Sequence, residues 1–256
     1  MSKEIEEMME PYLVNDYFFS KFFPTIERIC HVDKSMPYAN NTIYRNFILY
    51  GSPGTGKTTT ANSIAGHGIN KYGINNVNAK FSENGNLEFL MHRGLDPKKL
   101  VNILFTDNAT LAIHNKETLV KYFTLRNQYF DKRKEMKVDF NHNGYILSII
   151  SLHRYHSVPV DLRSIVDAII IRDVSLNPYD QRVIKQFIND SEISALLNEI
   201  ADLRFDSREL MNYSIIVSRG KTGILKLNPT DKFYFSEPET MREILRRLHD
   251  TGNRIN

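Results

Sequence analysis

Gly51-Ser52-Pro53-Gly54-Thr55-Gly56-Lys57-Thr58 is the segment that most narrows what this chain can fold into. The three glycines let the backbone turn tightly enough for consecutive N–H groups to face one bound anion, and phosphate is the anion this spacing suits. Lys57 is placed to reach the β- and γ-phosphates of a nucleotide, Thr58 to offer its hydroxyl to magnesium, and Thr59 to add a contact to the α-phosphate. A pattern this short also arises by chance. Here the flanks argue against chance: the apolar run Phe47-Ile-Leu-Tyr50 precedes the glycines, and Thr58 to Ile69 can form a helix.

The remainder of the chain alternates in the same way. Strand-like runs occur at 46–50, 77–82, 101–106, 145–150 and 168–171, with helical patterns between them at 58–69, 86–93 and 116–134. That order predicts an α/β fold, a parallel sheet flanked by helices. Residues 1–42 read as an N-terminal helical extension, whose Met8, Met9, Tyr12, Phe18, Phe19, Phe22 and Phe23 are spaced to pack on the core. Residues 43–177 form the core. Residues 178–256 read as a C-terminal appendage of helices, at 179–189, 191–203 and the chain end, with a β-hairpin at 213–227.

A nucleotide site of this kind needs a second carboxylate beside the metal, at the end of a neighbouring apolar strand. Asp107, after Ile103-Leu-Phe-Thr106, fits that place and would share magnesium with Thr58, although an Asp also caps turns after strands. Asn108 follows it. An amide can align water but cannot take its proton, so either hydrolysis is slow or another carboxylate serves as base. Glu83 directly follows the run 77–82 and is the candidate; the alternative is an exposed loop glutamate beside Asn84-Gly85.

With these residues in place the chain resembles the P-loop ATPases that carry an additional strand between the two Walker strands, the division of AAA+ and RecA-like motors. GSPGTGKTT is similar to the AAA+ Walker A and ILFTD to the Walker B, over residues 44–175. The resemblance implies ATP and magnesium as cofactors and ATP hydrolysis as the activity. It places Ser148 or Ser151 as the sensor of the γ-phosphate, and Arg163 as an arginine finger for a neighbouring subunit, Arg154 being the alternative. The hairpin, the basic helix and HRYHSVPVDLRS also resemble viral and archaeal genome-packaging and DNA-pumping ATPases. That likeness implies a homo-oligomeric ring acting on DNA. A replication initiator or helicase loader is the second reading, and a small-molecule kinase the third.

Charge does not decide among them, because 33 Lys and Arg stand against 30 Asp and Glu. Local basic groups are the candidate DNA contacts: Lys132, Arg133, Lys134 and Lys137 in one helix, Arg219 and Lys221 at the hairpin tip. A solvated helix whose Tyr122, Phe123, Tyr129 and Phe130 pack inward is the alternative. His153 and His156 lack further ligands for a metal and are expected near the nucleotide or a subunit interface. Cys30 is the single cysteine, so no intramolecular disulfide forms. No run of about 18 apolar residues occurs, and the expectation is a soluble protein of the cytoplasm, the host's if the source is viral, with no membrane partner.

Overall fold

Strand propensity and two-sided burial together build the centre of the molecule. In the computed structural model, which describes residues 7, 9–37, 41–82, 87, 93–109, 122, 125–138, 142–154, 158, 163, 165–172, 179–180, 182, 212–219 and 221–227, seven strands form one sheet. They are β1 (Ile43–Tyr50), β2 (Val77–Ser82), β3 (Val101–Thr106), β4 (Tyr145–Leu152), β5 (Ala168–Ile171), β6 (Tyr213–Ser218) and β7 (Lys221–Lys226). Every residue of β3 and of β4 is buried, as near-continuous apolar strands are when both faces of a parallel sheet are covered.

The strand order is β2-β3-β4-β1-β5-β6-β7. Strands β1 to β5 run parallel, and β4 lies between β1 and β3, the additional strand that the resemblance implies. The expected hairpin, β6–β7, adds to the same sheet antiparallel to β5. This makes the sheet mixed.

Alternation along β1 divides the core into two layers. Ile48 and Tyr50 face one layer with Leu104, Ile146, Ile150, Ile169 and Ile171; Phe47 and Leu49 face the other with Ile103, Phe105, Leu147, Ile149 and Ile170. The second layer is covered by helix α3 (Lys57–Tyr72), through Ala61, Ile64 and Ala65, and by the N-terminal segment.

That segment contains α1 (Asn15–Phe22) and α2 (Ile26–Cys30). Phe18 and Phe22 are buried, with ring centroids 5.5 and 5.1 Å from that of Phe47. Polar contacts fix the docking: the hydroxyls of Tyr72 and Tyr145 donate to the carbonyls of Pro24 and Phe22 at 2.8 and 2.5 Å. The aromatic cluster read from the sequence therefore packs onto the core. Truncating a buried ring such as Phe18 to Ala costs about 3–5 kcal/mol.

Helix α4 (Leu125–Glu135) covers the C-terminal half of the expected 116–134 helix, of which Tyr122 is also helical. The expected helices at 86–93, 179–189, 191–203 and the chain end lie largely or wholly outside the described residues. No helix among the described residues is long and apolar enough to cross a membrane.

Candidate functional site

The site forms where β1, β3 and β4 end together. Parallel strands deliver their C-terminal residues to one edge of the sheet, and Gly51 N–H donates to the Leu152 carbonyl at 3.3 Å, so the glycine loop starts against the end of β4. Gly54 and Gly56 have φ of +79° and +82°, a left-handed conformation that residues with a Cβ adopt at a cost. Gly56 then caps α3, whose first residue is Lys57, so the helix N-terminus with its partial positive charge opens into the loop.

Lys57 is almost fully buried, and its Nζ donates to the carbonyls of Gly51 and Ser52 at 2.7 and 2.9 Å. The Nδ1 of His153, just past β4, lies 3.1 Å from the same Nζ and 3.2 Å from the Gly51 carbonyl oxygen. Thr55 Oγ1 donates to the Ser52 carbonyl at 2.8 Å and holds the loop's own shape. These groups border a cavity of about 490 Å³, lined by Pro53, Gly54, Gly56, Lys57, Thr58 and Thr59 from the loop and helix. Phe81, Asp107, Asn108 and His153 close it from the ends of β2, β3 and β4.

Asp107 is the centre of the polar contacts. Ser151 Oγ donates to its Oδ1 at 2.6 Å, the Asn108 N–H donates to the same oxygen at 3.0 Å, and Thr58 Oγ1 donates to Oδ2 at 3.3 Å. A hydroxyl and a carboxylate oxygen this close are hard oxygen donors of the kind magnesium takes, with water and phosphate completing its octahedron. Among the described residues no cluster of three or more His, Cys, Asp or Glu could hold a metal. A magnesium site of one or two protein ligands does not require one. Thr58 and Asp107 therefore fit that cation.

Of the two sensor candidates, Ser151 reaches Asp107, while Ser148 sits in mid-strand opposite Asn46 and Leu104. Asn108 has φ of +51°. Asn adopts that conformation more readily than most residues, so the turn after β3 gives a backbone reason for an amide at this position. Glu83 and His156 lie outside the described residues. Arg163 is half-buried just before β5; its Nε donates to the Val158 carbonyl at 2.8 Å, and it does not line the phosphate cavity. Arg154 is exposed.

Two arginines depart from a sequence reading. Arg133, read as part of a basic face, is buried: Nη1 donates to the His142 carbonyl at 2.6 Å, and the guanidinium lies 5.6 Å from the centre of the Tyr129 ring. Tyr122 and Tyr129 are buried as well, and burial pushes the Tyr129 phenol up to about 12, so the inward-packing alternative holds for them. Arg172, which no motif marked, reaches the loop from β5: Nε donates to the Thr55 carbonyl at 3.0 Å. A charged residue directly after the fully apolar run 168–171, on a strand next to β1, was the available signal.

Residues 47–118 match the family model described as ATPase family associated with various cellular activities (AAA). No curated protein matches the chain. Among solved structures, the genome packaging NTPase B204 from Sulfolobus turreted icosahedral virus 2 in complex with AMPPCP is similar at 12% identity and a TM-score of 0.45, over 72% of this chain and 97% of that one. The N-terminal domain of zonular occludens toxin from Neisseria meningitidis is similar at 14% identity and a TM-score of 0.34, over 50% of this chain and 76% of that one. The replication initiator DnaA bound to AMPPCP and single-stranded DNA is similar at 17% identity and a TM-score of 0.32, over 64% and 53%. The glycine loop, the strand order and the AAA match together make this chain a P-loop ATPase.

Proposed function

From a P-loop ATPase core, we propose an oligomeric motor that hydrolyses ATP to move DNA, as in genome packaging or translocation. The observation that carries the catalytic part is the chain of contacts from Thr58 through Asp107 to Ser151, on three neighbouring elements around one cavity. The loop N–H groups and Lys57 hold the phosphates, with Gly51, Ser52, Pro53, Gly54, Thr55 and Gly56 shaping the cradle and Thr59 adding an α-phosphate contact. Thr58 and Asp107 would hold magnesium, which would supply positive charge to the phosphates. Ser151 holds the carboxylate of Asp107 in place and reports the γ-phosphate along β4. Glu83 takes the proton of the attacking water, and Asn108 shapes the turn that follows β3.

Arg163 stands outside its own cavity and serves a neighbour's γ-phosphate, so the active unit is a ring of copies. Support for a polymer substrate comes from exposed cations at two places: Lys134 and Lys137 at the end of α4, and Arg219 and Lys221 at the hairpin tip. Native mass measurement with and without ATP and long duplex DNA, coupled to ATPase assays, tests this reading. The expected result is an ATP-dependent ring whose turnover DNA stimulates, together with strand movement. ATP-dependent assembly on DNA without movement would favour an initiator or helicase loader instead. A phosphorylated small molecule in place of free phosphate would overturn both.

A further inference from the structure

We propose that Arg172 is a positioning residue of the phosphate loop, and that through it the β6–β7 hairpin becomes a working part of the nucleotide site. This rests on the reading of residues 51–58 as the phosphate cradle.

Arg172 follows the buried run Ala168–Ile171 and is itself only 3% exposed. Its backbone N–H donates to the Tyr50 carbonyl at 2.8 Å, extending the β5–β1 ladder to the last residue before the loop. From there the guanidinium spans two structures far apart in sequence. Nε donates to the Thr55 carbonyl at 3.0 Å, while Nη1 donates to the Tyr213 carbonyl at 2.6 Å and to Ser214 Oγ at 2.9 Å. Thr55 is in the loop; Tyr213 and Ser214 open β6.

Contact continues at the next loop residue. A Cβ placed on Gly56 would lie 3.1 Å from Nη2, so the flat guanidinium rests directly against the loop. In a trans peptide the carbonyl and the following N–H point in opposite directions. Drawing the Thr55 carbonyl toward Arg172 therefore turns the Gly56 N–H away from Arg172, and Gly56 lines the phosphate cavity. Burial pushes the guanidinium down to about 10, which still leaves it charged at neutral pH. It thus sets a fixed positive charge behind the loop, on the side away from the ligand.

A lysine keeps the charge but cannot fork between loop and hairpin. Arg172→Lys and Ser214→Ala are the informative variants, the second removing one hairpin anchor without touching the loop. Both are to be measured by titration calorimetry with ADP and with ATP well below their melting temperatures, alongside steady-state turnover. Arg172→Lys should weaken ADP and ATP by the same factor, on the order of tenfold, and Ser214→Ala by about threefold. KM should rise while turnover at saturating ATP stays within about twofold, a split that a purely structural staple would not produce. Wild-type nucleotide affinity in folded Arg172→Lys, or lost turnover at unchanged KM, overturns the proposal. If Arg172→Lys does not fold, Ser214→Ala decides, and unchanged affinity there overturns it. Failure of the wild-type chain to bind ADP would remove the phosphate-site reading itself, a result separable from the others.

Discussion

Two aspartates at opposite edges of the sheet show how one residue type serves different ends. Asp107 follows β3 at the C-terminal edge, while Asp167 precedes β5 at the other. Asp167 Oδ2 accepts the Asn46 N–H at 2.9 Å, and Arg45 Nη1 lies 3.5 Å from its Oδ1. Its carboxylate ties the start of β5 to β1, beside a smaller cavity of about 230 Å³. Partial burial raises its pKa despite the Asn46 N–H and the Arg45 charge, so it stands as a structural group. Asp107 is held by two hydroxyls and one main-chain N–H, and it opens on a cavity of about 490 Å³ beside Lys57 and a helix N-terminus. Hydroxyls can turn and share a cation, whereas a strand N–H cannot. What separates the two is thus the company each carboxylate keeps at its edge of the sheet.

Substitutions can sharpen or break that contrast. The largest effect is expected at Arg163. Arg163→Ala should leave nucleotide affinity near normal and lower turnover by roughly 10³-fold if it serves a neighbour. Mixing it with Lys57→Ala subunits should restore part of the activity, and normal turnover of assembled Arg163→Ala would move the role to Arg154. Next comes Lys57→Ala, which should weaken ATP by on the order of 10²-fold while circular dichroism stays unchanged.

A smaller and more diagnostic effect concerns the proton acceptor. If Glu83 is the base, Glu83→Gln should bind ATP normally and lose most turnover, and Asn108→Glu should change little. Without a base at 83, Glu83→Gln is silent and Asn108→Glu raises a slow basal rate, less the strain of a glutamate at a φ of +51°. Single-turnover phosphate release separates these outcomes.

The smallest effect belongs to Asp167. Its folded pKa is raised above the unfolded value, so its contribution is fully present below the unfolded value near 3.8 and is lost as pH rises through the folded one. Asp167→Asn, neutral throughout, should therefore gain on the wild type by about 1–2 °C in Tm as pH rises across that range. A gap that narrows or reverses over the same range would show that the Arg45 contact outweighs burial.

Much of the geometry of the candidate site was legible because its signals are local. Three glycines, Lys57 and Thr58 within one short segment declare a phosphate cradle without reference to the rest of the chain. Asp107 was legible from an apolar strand and its end. The choice of Ser151 over Ser148 needed the registry of β4, which places one at the strand end and the other opposite Asn46. The joining of β6 to β5 was not legible, since an apolar run states that a strand is buried but not which edge it meets. Arg133 and Arg172 were hidden for a related reason. A cation in sequence reads as a surface group until a carbonyl such as that of His142 or Thr55 is shown to receive it.

The most direct test compares one substitution at both edges, Asp107→Asn and Asp167→Asn, each assayed for ATP turnover with magnesium and for melting temperature. Asp107→Asn should fold with a Tm near that of the wild type and lose ATP turnover by at least about 10²-fold. Asp167→Asn should turn over ATP at the wild-type rate and differ only in its melting. Wild-type turnover by folded Asp107→Asn, or lost turnover in folded Asp167→Asn, would contradict the assignment of the catalytic edge.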